Sequence, residues 1–202
     1  MRDAGIGRVL VASLHQGISD ILPTRLGFYE SWLHSKGLRD GTIGLAPVNA
    51  VLSFLRQEED DAYDRITRRA GEYAAEWTVD TMPSFKRTAI RSAPAWLRAR
   101  LLLRIARRLV RDSCRASRAT ATVREGRARI NLHSSIFCAV REPVGRPLCG
   151  FYAAAFTRLM MIFNLEAAAA VVSCRGAGAA SCVLTIPLSP EGWPDAQEAA
   201  AR

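Results

Sequence analysis

From Ala119 onward the chain changes period, and that change does most to limit what it can fold into. Residues 119–124, Ala-Thr-Ala-Thr-Val-Arg, alternate apolar with polar, and after Glu125-Gly126 the alternation resumes through Arg127-Ala-Arg-Ile-Asn-Leu-His133. Successive side chains of a strand point to opposite faces, so two alternating runs around a turn dipeptide predict a β-hairpin. Ala167 to Cys174 and Ser181 to Pro187 read as a second hairpin, while Leu148 to Phe163, whose single charge is Arg158, reads as a helix buried on most sides.

Upstream the spacing is helical. Thr42 to Leu55 is mostly apolar, with Pro47 tolerated in a first turn. Behind the acidic run Glu58 to Asp61, the residues Tyr63, Ile66, Ala70, Tyr73, Ala74 and Trp77 recur at three- and four-residue intervals. Ser92-Ala-Pro94 then introduces an Arg-rich helix. Helices first, then two hairpins separated by one helix, predict an α+β domain with helices packed on an antiparallel sheet of two hairpins. Residues 1–40, broken at Pro23 and Gly37, read as an N-terminal helical extension, 41–188 as the main domain and 189–202 as a frayed tail.

The net charge of +9 is local. Between Arg91 and Arg129 there are twelve arginines and two acids, Asp112 and Glu125, which leaves 16 basic against 17 acidic groups elsewhere. Stepping Trp96 to Arg111 around a helix places Arg100, Arg104, Arg107, Arg108 and Arg111 on one arc, opposite Leu102, Leu103, Ile105, Ala106, Leu109 and Val110. Such an arc suits an anionic membrane surface or a ligand carboxylate. Nucleic acid is the weakest reading, because aromatic interleaving and a recognition motif are absent. A solvated face that merely holds its apolar side on the core accounts for the pattern as well. No uncharged apolar run reaches the roughly 18 residues of a membrane span. Five cysteines, an odd number, without an export signal point to a reducing compartment, so the chain reads as cytoplasmic, with peripheral attachment at the inner membrane through the Arg arc.

The last quarter carries the most specific pattern. Pro147-Leu-Cys149-Gly-Phe-Tyr152 opens the apolar helix, and Glu166-Ala-Ala-Ala-Ala-Val-Val-Ser-Cys174-Arg-Gly-Ala-Gly-Ala-Ala-Ser-Cys182-Val-Leu-Thr-Ile186 closes the domain. A cysteine, a helix, a strand and two cysteines around a Gly-containing turn resemble the end of the bacterial 4-vinyl-reductase domain, whose fold is shared by transport-particle (TRAPP) subunits. Among its members the bacteriochlorophyll 4-vinyl reductase-like proteins look most similar. The resemblance spans roughly Ile43 to Pro187 and is strongest from Cys149 to Ile186. It implies an accessory role in reducing the C8 vinyl group of a (proto)chlorophyllide-type tetrapyrrole. It also implies zinc held by Cys149, Cys174 and Cys182 with an acid shortly before the second cysteine, as in ligand-sensing relatives. Here the acidic position falls on Val171, so less than one zinc per chain is expected, with Cys138 or His133 as replacement ligands; cysteines packed as small hydrophobes account for the pattern too.

No redox-cofactor motif accompanies this. Gly176-Ala-Gly178-Ala-Ala-Ser181 lies between two strands, and a dinucleotide loop needs a helix N-terminus to grip phosphate. A carrier of an apolar ligand is therefore expected in preference to a catalyst, with a zinc-containing sensor or a dimerising assembly module as the alternative. Tyr152, Phe156 and Met160, with Trp96, Phe137 and His133, are the candidate pocket residues for a flat apolar ligand, although core packing explains the aromatic ones equally. The small side chains of Ala153 to Ala155 and Ala167 to Ala170 leave volume that a ligand can occupy. A homodimer fits the continuous apolar helix side and the sheet edges.

Overall fold

In the computed structural model, residues 5–33 and 44–188 are described. The expected break at Gly37, the helix start at Thr42 and the tail 189–202 lie outside them. The fold is α+β: among the described residues, seven helices pack against one four-stranded antiparallel sheet. The helices are α1 (Arg8–Ile21), α2 (Leu26–Glu30), α3 (Leu45–Leu55), α4 (Ala62–Asp80), α5 (Ser84–Ser92), α6 (Ala95–Ser113) and α7 (Gly150–Ile162). The strands are β1 (Arg118–Arg124), β2 (Arg127–His133), β3 (Ala170–Ser173) and β4 (Cys182–Pro187), in the spatial order β1-β2-β4-β3. The two expected hairpins are present, and the antiparallel β2–β4 pair joins them into one sheet.

Helix α4 is the centre of the helical layer. Tyr63, Ile66, Ala70 and Ala74 repeat on one side of it and are completely buried. Tyr73 and Trp77, expected on the same stripe, drift to its rim and stack there, and the Tyr73 hydroxyl donates to Asp20 Oδ2 at 2.7 Å. Helix α1 packs on α4 through Leu10, Leu14 and Ile18, all fully buried. The chain before α1 is tied down as well, since Gly7 N–H donates to Ser113 O at 2.9 Å and Ile6 bridges Cys114. The first helix thus shares the core of the main body, because it supplies one of the two walls that α4 needs.

The other wall is α7, and a glycine sets its distance. A Cβ on Gly71 would lie 2.2 Å from Phe151 O and 3.0 Å from Ala155 N, so the α4 and α7 backbones meet where only hydrogen fits. Alanine gains up to about 1 kcal/mol over glycine in a helix, but overpacking against rigid backbone costs about 1–3 kcal/mol or more. The second term wins. Gly71→Ala is expected to lower unfolding stability by about 1–2 kcal/mol in a denaturant titration, and an unchanged midpoint would show that the helices part at no cost.

Candidate metal centre

Four segments distant in sequence bring their cysteines to one point. Cys138 closes a 3-10 turn, Ile136–Cys138, that follows β2; Cys149 is the N-cap residue of α7; Cys174 follows β3; Cys182 opens β4. All four sulfurs lie within 4.8 Å of one another. Cys138 Sγ is 3.2 Å from that of Cys149, 3.3 Å from Cys174 and 3.4 Å from Cys182, and Cys149 and Cys174 are 3.8 Å apart. A tetrahedral ion with bonds of about 2.3 Å to sulfur requires sulfurs roughly 3.8 Å apart, a value inside the range between the 3.2 Å pair and the 4.8 Å bound on the set. Four soft thiolates at this spacing suit one zinc ion, or iron in the same geometry.

Sheet alternation and one tight loop build this arrangement. Cys182 shares the inward side of β4 with Leu184 and Ile186 and pairs across the ladder with Leu132, so its thiol enters the core. The connection from Cys174 to Cys182 contains a second 3-10 turn, Arg175–Ala177, and then Gly178 at φ 90°, a conformation that favours glycine. That loop lies against Leu148: a Cβ on Gly176 would come within 2.6 Å of Leu148 Cδ1. Two amides meet the cluster, Leu148 N–H donating to Cys174 Sγ from the segment before α7 and Arg175 N–H donating to Cys182 Sγ from the loop, each at 3.3 Å. Amide donors stabilise thiolate and fix its direction, as outer-shell groups do in metal sites. The segment therefore works as a strand connection that orients sulfur, and it opens no helix that would grip a phosphate.

Crowding divides the four thiols into two kinds. Cys174 is held far below the ordinary thiol range by Cys138, Cys149 and Cys182, with the Leu148 amide adding to the effect. Cys182 falls to about 7 because Cys138 and Cys149 lie against it. Cys149 is pushed up by its contacts with Cys138, Cys174 and Cys182 and by burial. The neighbouring Cys149 thiol lowers Cys138, but Cys174, Cys182 and burial together raise it further, and its net shift is upward.

The other sequence candidates separate into three places. Phe137, Tyr152, Phe156 and Met160 are fully buried. Phe137 stacks on Phe151 at 4.8 Å and meets Tyr152 edge-on at 5.4 Å, so these rings form the wall behind Cys138 and Cys149. The Tyr152 hydroxyl is enclosed near Ser117, whose own hydroxyl is committed to Ser134 O at 2.8 Å. His133 is not with them. It ends β2 on the exposed side, opposite Arg118, and its parity with Arg127, Arg129 and Asn131 explains why: Cys138, not His133, completes the cysteine set. Trp96 is half-buried in the first turn of α6 beneath the Arg100 guanidinium, 5.3 Å from its centroid. Arg100, Arg104, Arg107, Arg108 and Arg111 are all exposed on α6, while Leu102, Leu103, Ala106, Leu109 and Val110 are buried.

Val171, the expected acid position, is not at the cluster. It pairs with Leu184 on β3 and lines a groove of about 670 Å³ between α4, α7 and the start of β3. Four of the seven alanines expected to leave volume do so here, on the side of α7 away from the aromatic rings: Ala153, Ala154, Ala169 and Ala170 form the floor, while Ala155 and Ala167 are buried in the core. The opposite wall is the i, i+4 row Asp64, Arg68, Glu72 and Glu76 of α4. Arg158 of α7 bonds Glu76 at 2.7 Å, and Arg69 bonds Glu72 at 2.9 Å, whereas Arg68 is exposed and has no ion pair among the described residues. The charged row was legible as the polar side of α4; that it faces an alanine floor depends on the α4–α7 crossing.

No family profile and no curated protein matches the sequence. Among solved structures the chain is similar to the phenol-responsive sensory domain of the transcription activator PoxR, crystallised with phenol. The identity is 16%, over 78% of this chain and 80% of that one, with a TM-score of 0.48. Among the described residues no helix is long and apolar enough to cross a membrane.

Proposed function

We propose that this chain is a zinc-holding, non-catalytic module of the 4-vinyl-reductase class that binds a small molecule with an apolar body and an anionic edge. The four-cysteine cluster carries the reading. Two of its sulfurs accept amide hydrogen bonds, and its members come from four separate segments, so one ion cross-links the β2–α7 connection, the α7 N-terminus and the β3–β4 hairpin. A fourth thiolate replaces the acid missing at Val171, which removes the reason to expect less than one zinc per chain.

The groove supports the ligand. Its volume of about 670 Å³ lies within the range of small-molecule sites, about 300–1,000 Å³. Its alanine floor suits an apolar surface and Arg68 suits a carboxylate. A chlorophyllide-type tetrapyrrole, the ligand that the resemblance implies, combines those two features. Titration of protoporphyrin into micromolar protein should give a saturable spectral change, and Ala154→Trp, which fills the floor, should weaken it at least tenfold. Saturable binding that Ala154→Trp leaves intact would move the ligand out of the groove. No spectral change would leave the zinc-holding module without this ligand.

A further inference from the structure

The outward side of the sheet is as one-sided in charge as α6, and the two surfaces meet. Strand alternation buries Ala128, Ile130, Leu132 and Ile186 and turns Arg118, Arg124, Arg127 and Arg129 to solvent. The register sets Arg124 directly opposite Arg127, a like-charge pair that destabilises a ladder, so the fold gives no reason for it. None of the four has an ion pair among the described residues, and Arg118 donates only to the carbonyls of Arg115 and Ser117. Helix α6 lies along the free edge of β1, where Arg107 Nε donates to Ala119 O at 3.1 Å. The exposed arginine row of α6 therefore borders the ribbon. From Arg100 to Arg129 ten arginines are exposed against two acids, one of which, Asp112, is shared by Arg108 and Arg111.

From this surface we infer that α6 and the outward side of β1–β2 contact the phosphate backbone of a nucleic-acid duplex without reading its sequence. Size and charge fit. Seven-residue strands span roughly 20–24 Å, and a duplex carries one phosphate per roughly 1.7 Å of axis, so that length presents about a dozen charges. Thr120, Thr122 and Asn131 lie between the arginines on the same side and add donors that phosphate oxygens accept. The absence of aromatic interleaving, which weighed against nucleic acid in the sequence, bears on single strands, where bases stack on rings. Backbone contacts to a duplex need none. A lipid surface fits less well, because stable attachment takes an inserted apolar group as well as charge. The exposed large apolar side chains, Phe28, Trp32, Leu45, Phe85, Met161 and Val172, all lie off α6 and off this hairpin.

The zinc-loaded full chain should bind a fluorescent 20-bp duplex of arbitrary sequence in anisotropy titrations between 50 and 200 mM salt, with log K falling linearly against log salt at a slope of about −0.9 per phosphate neutralised. The quadruple change of Arg118, Arg124, Arg127 and Arg129 to Gln should weaken binding at least tenfold at 100 mM salt and flatten the slope, with zinc content and melting temperature unchanged. Arg104→Gln with Arg108→Gln is the second variant, expected to act in the same direction if the quadruple variant misfolds. Duplex binding unaffected by either variant would overturn the inference, as would no binding at 50 mM salt. Tighter binding to vesicles containing 30% phosphatidylglycerol than to the duplex would overturn it in favour of lipid.

Discussion

Loading the purified chain with zinc should raise its melting temperature by about 10 °C over the chelated form, with one ion bound per chain. An ion that binds only the folded state at a concentration a thousandfold above its Kd stabilises it by about 4 kcal/mol. For a chain of this size each kcal/mol shifts the midpoint by about 2–4 °C. The effect is larger than that of any single packing change because the four ligands close three loops at once, between Cys138, Cys149, Cys174 and Cys182. Cys174→Ser should abolish both the zinc and the shift. Cys114→Ser is the control, since Cys114 is buried at the end of α6 next to Ile6 and outside the cluster. Metal analysis by plasma emission, read for zinc and iron together, decides the ion. Protein purified without chelator that carries neither metal, and whose melting temperature ignores added zinc, would sink the metal reading.

The fold was legible because its signals are periodic and local. The α6 arc and the β1–β2 alternation each report one residue's exposure from its neighbours, and both appear in the structure with the same parity. Parity would also have separated the two candidate fourth ligands. His133 is in step with Arg127 and Arg129, which must face water, and so it points away from Cys182, which is in step with Leu184 and Ile186. Cys138 gave no such signal, since the turn that delivers it has no period and its approach to Cys174 is set by loops packed on Leu148. Helix α7 shows a different limit. Its apolar sequence suggested burial on most sides without saying which side stays open: an alanine facing a groove and an alanine facing a core read alike, and only the close crossing at Gly71 places Ala154 on the open side. Composition cannot distinguish them because alanine loses little on exposure.

The acid sensitivity of the centre should report how well the metal-free cluster is organised. Zinc binds thiolates, so each thiol that must lose its proton makes affinity fall tenfold per pH unit as pH drops. Four independent thiols near the ordinary value of about 8.5 would release four protons at neutral pH, and affinity would fall about ten-thousandfold per unit. Here Cys174 is held below the ordinary thiol range and Cys182 falls to about 7, while Cys138 and Cys149 are pushed up. Above pH 7 only the latter two protons must leave, so affinity should fall about 100-fold per unit, steepening toward 1,000-fold below pH 7 as Cys182 takes up its proton. The sign for the metal-free domain follows from the same shifts. The lowered pKa of Cys182 contributes stability that is present above its unfolded value and is lost as pH falls through about 7. The raised values of Cys138 and Cys149 contribute stability that is full below the ordinary thiol range and is lost as pH rises through it and on toward their folded values. Competition with a zinc-binding dye between pH 6 and 8.5 measures the slope directly. A ten-thousandfold dependence at pH 7.5 would mean that the metal assembles the four cysteines from a disordered state, and that the gathering of their sulfurs within 4.8 Å of one another belongs to the metal-bound form alone.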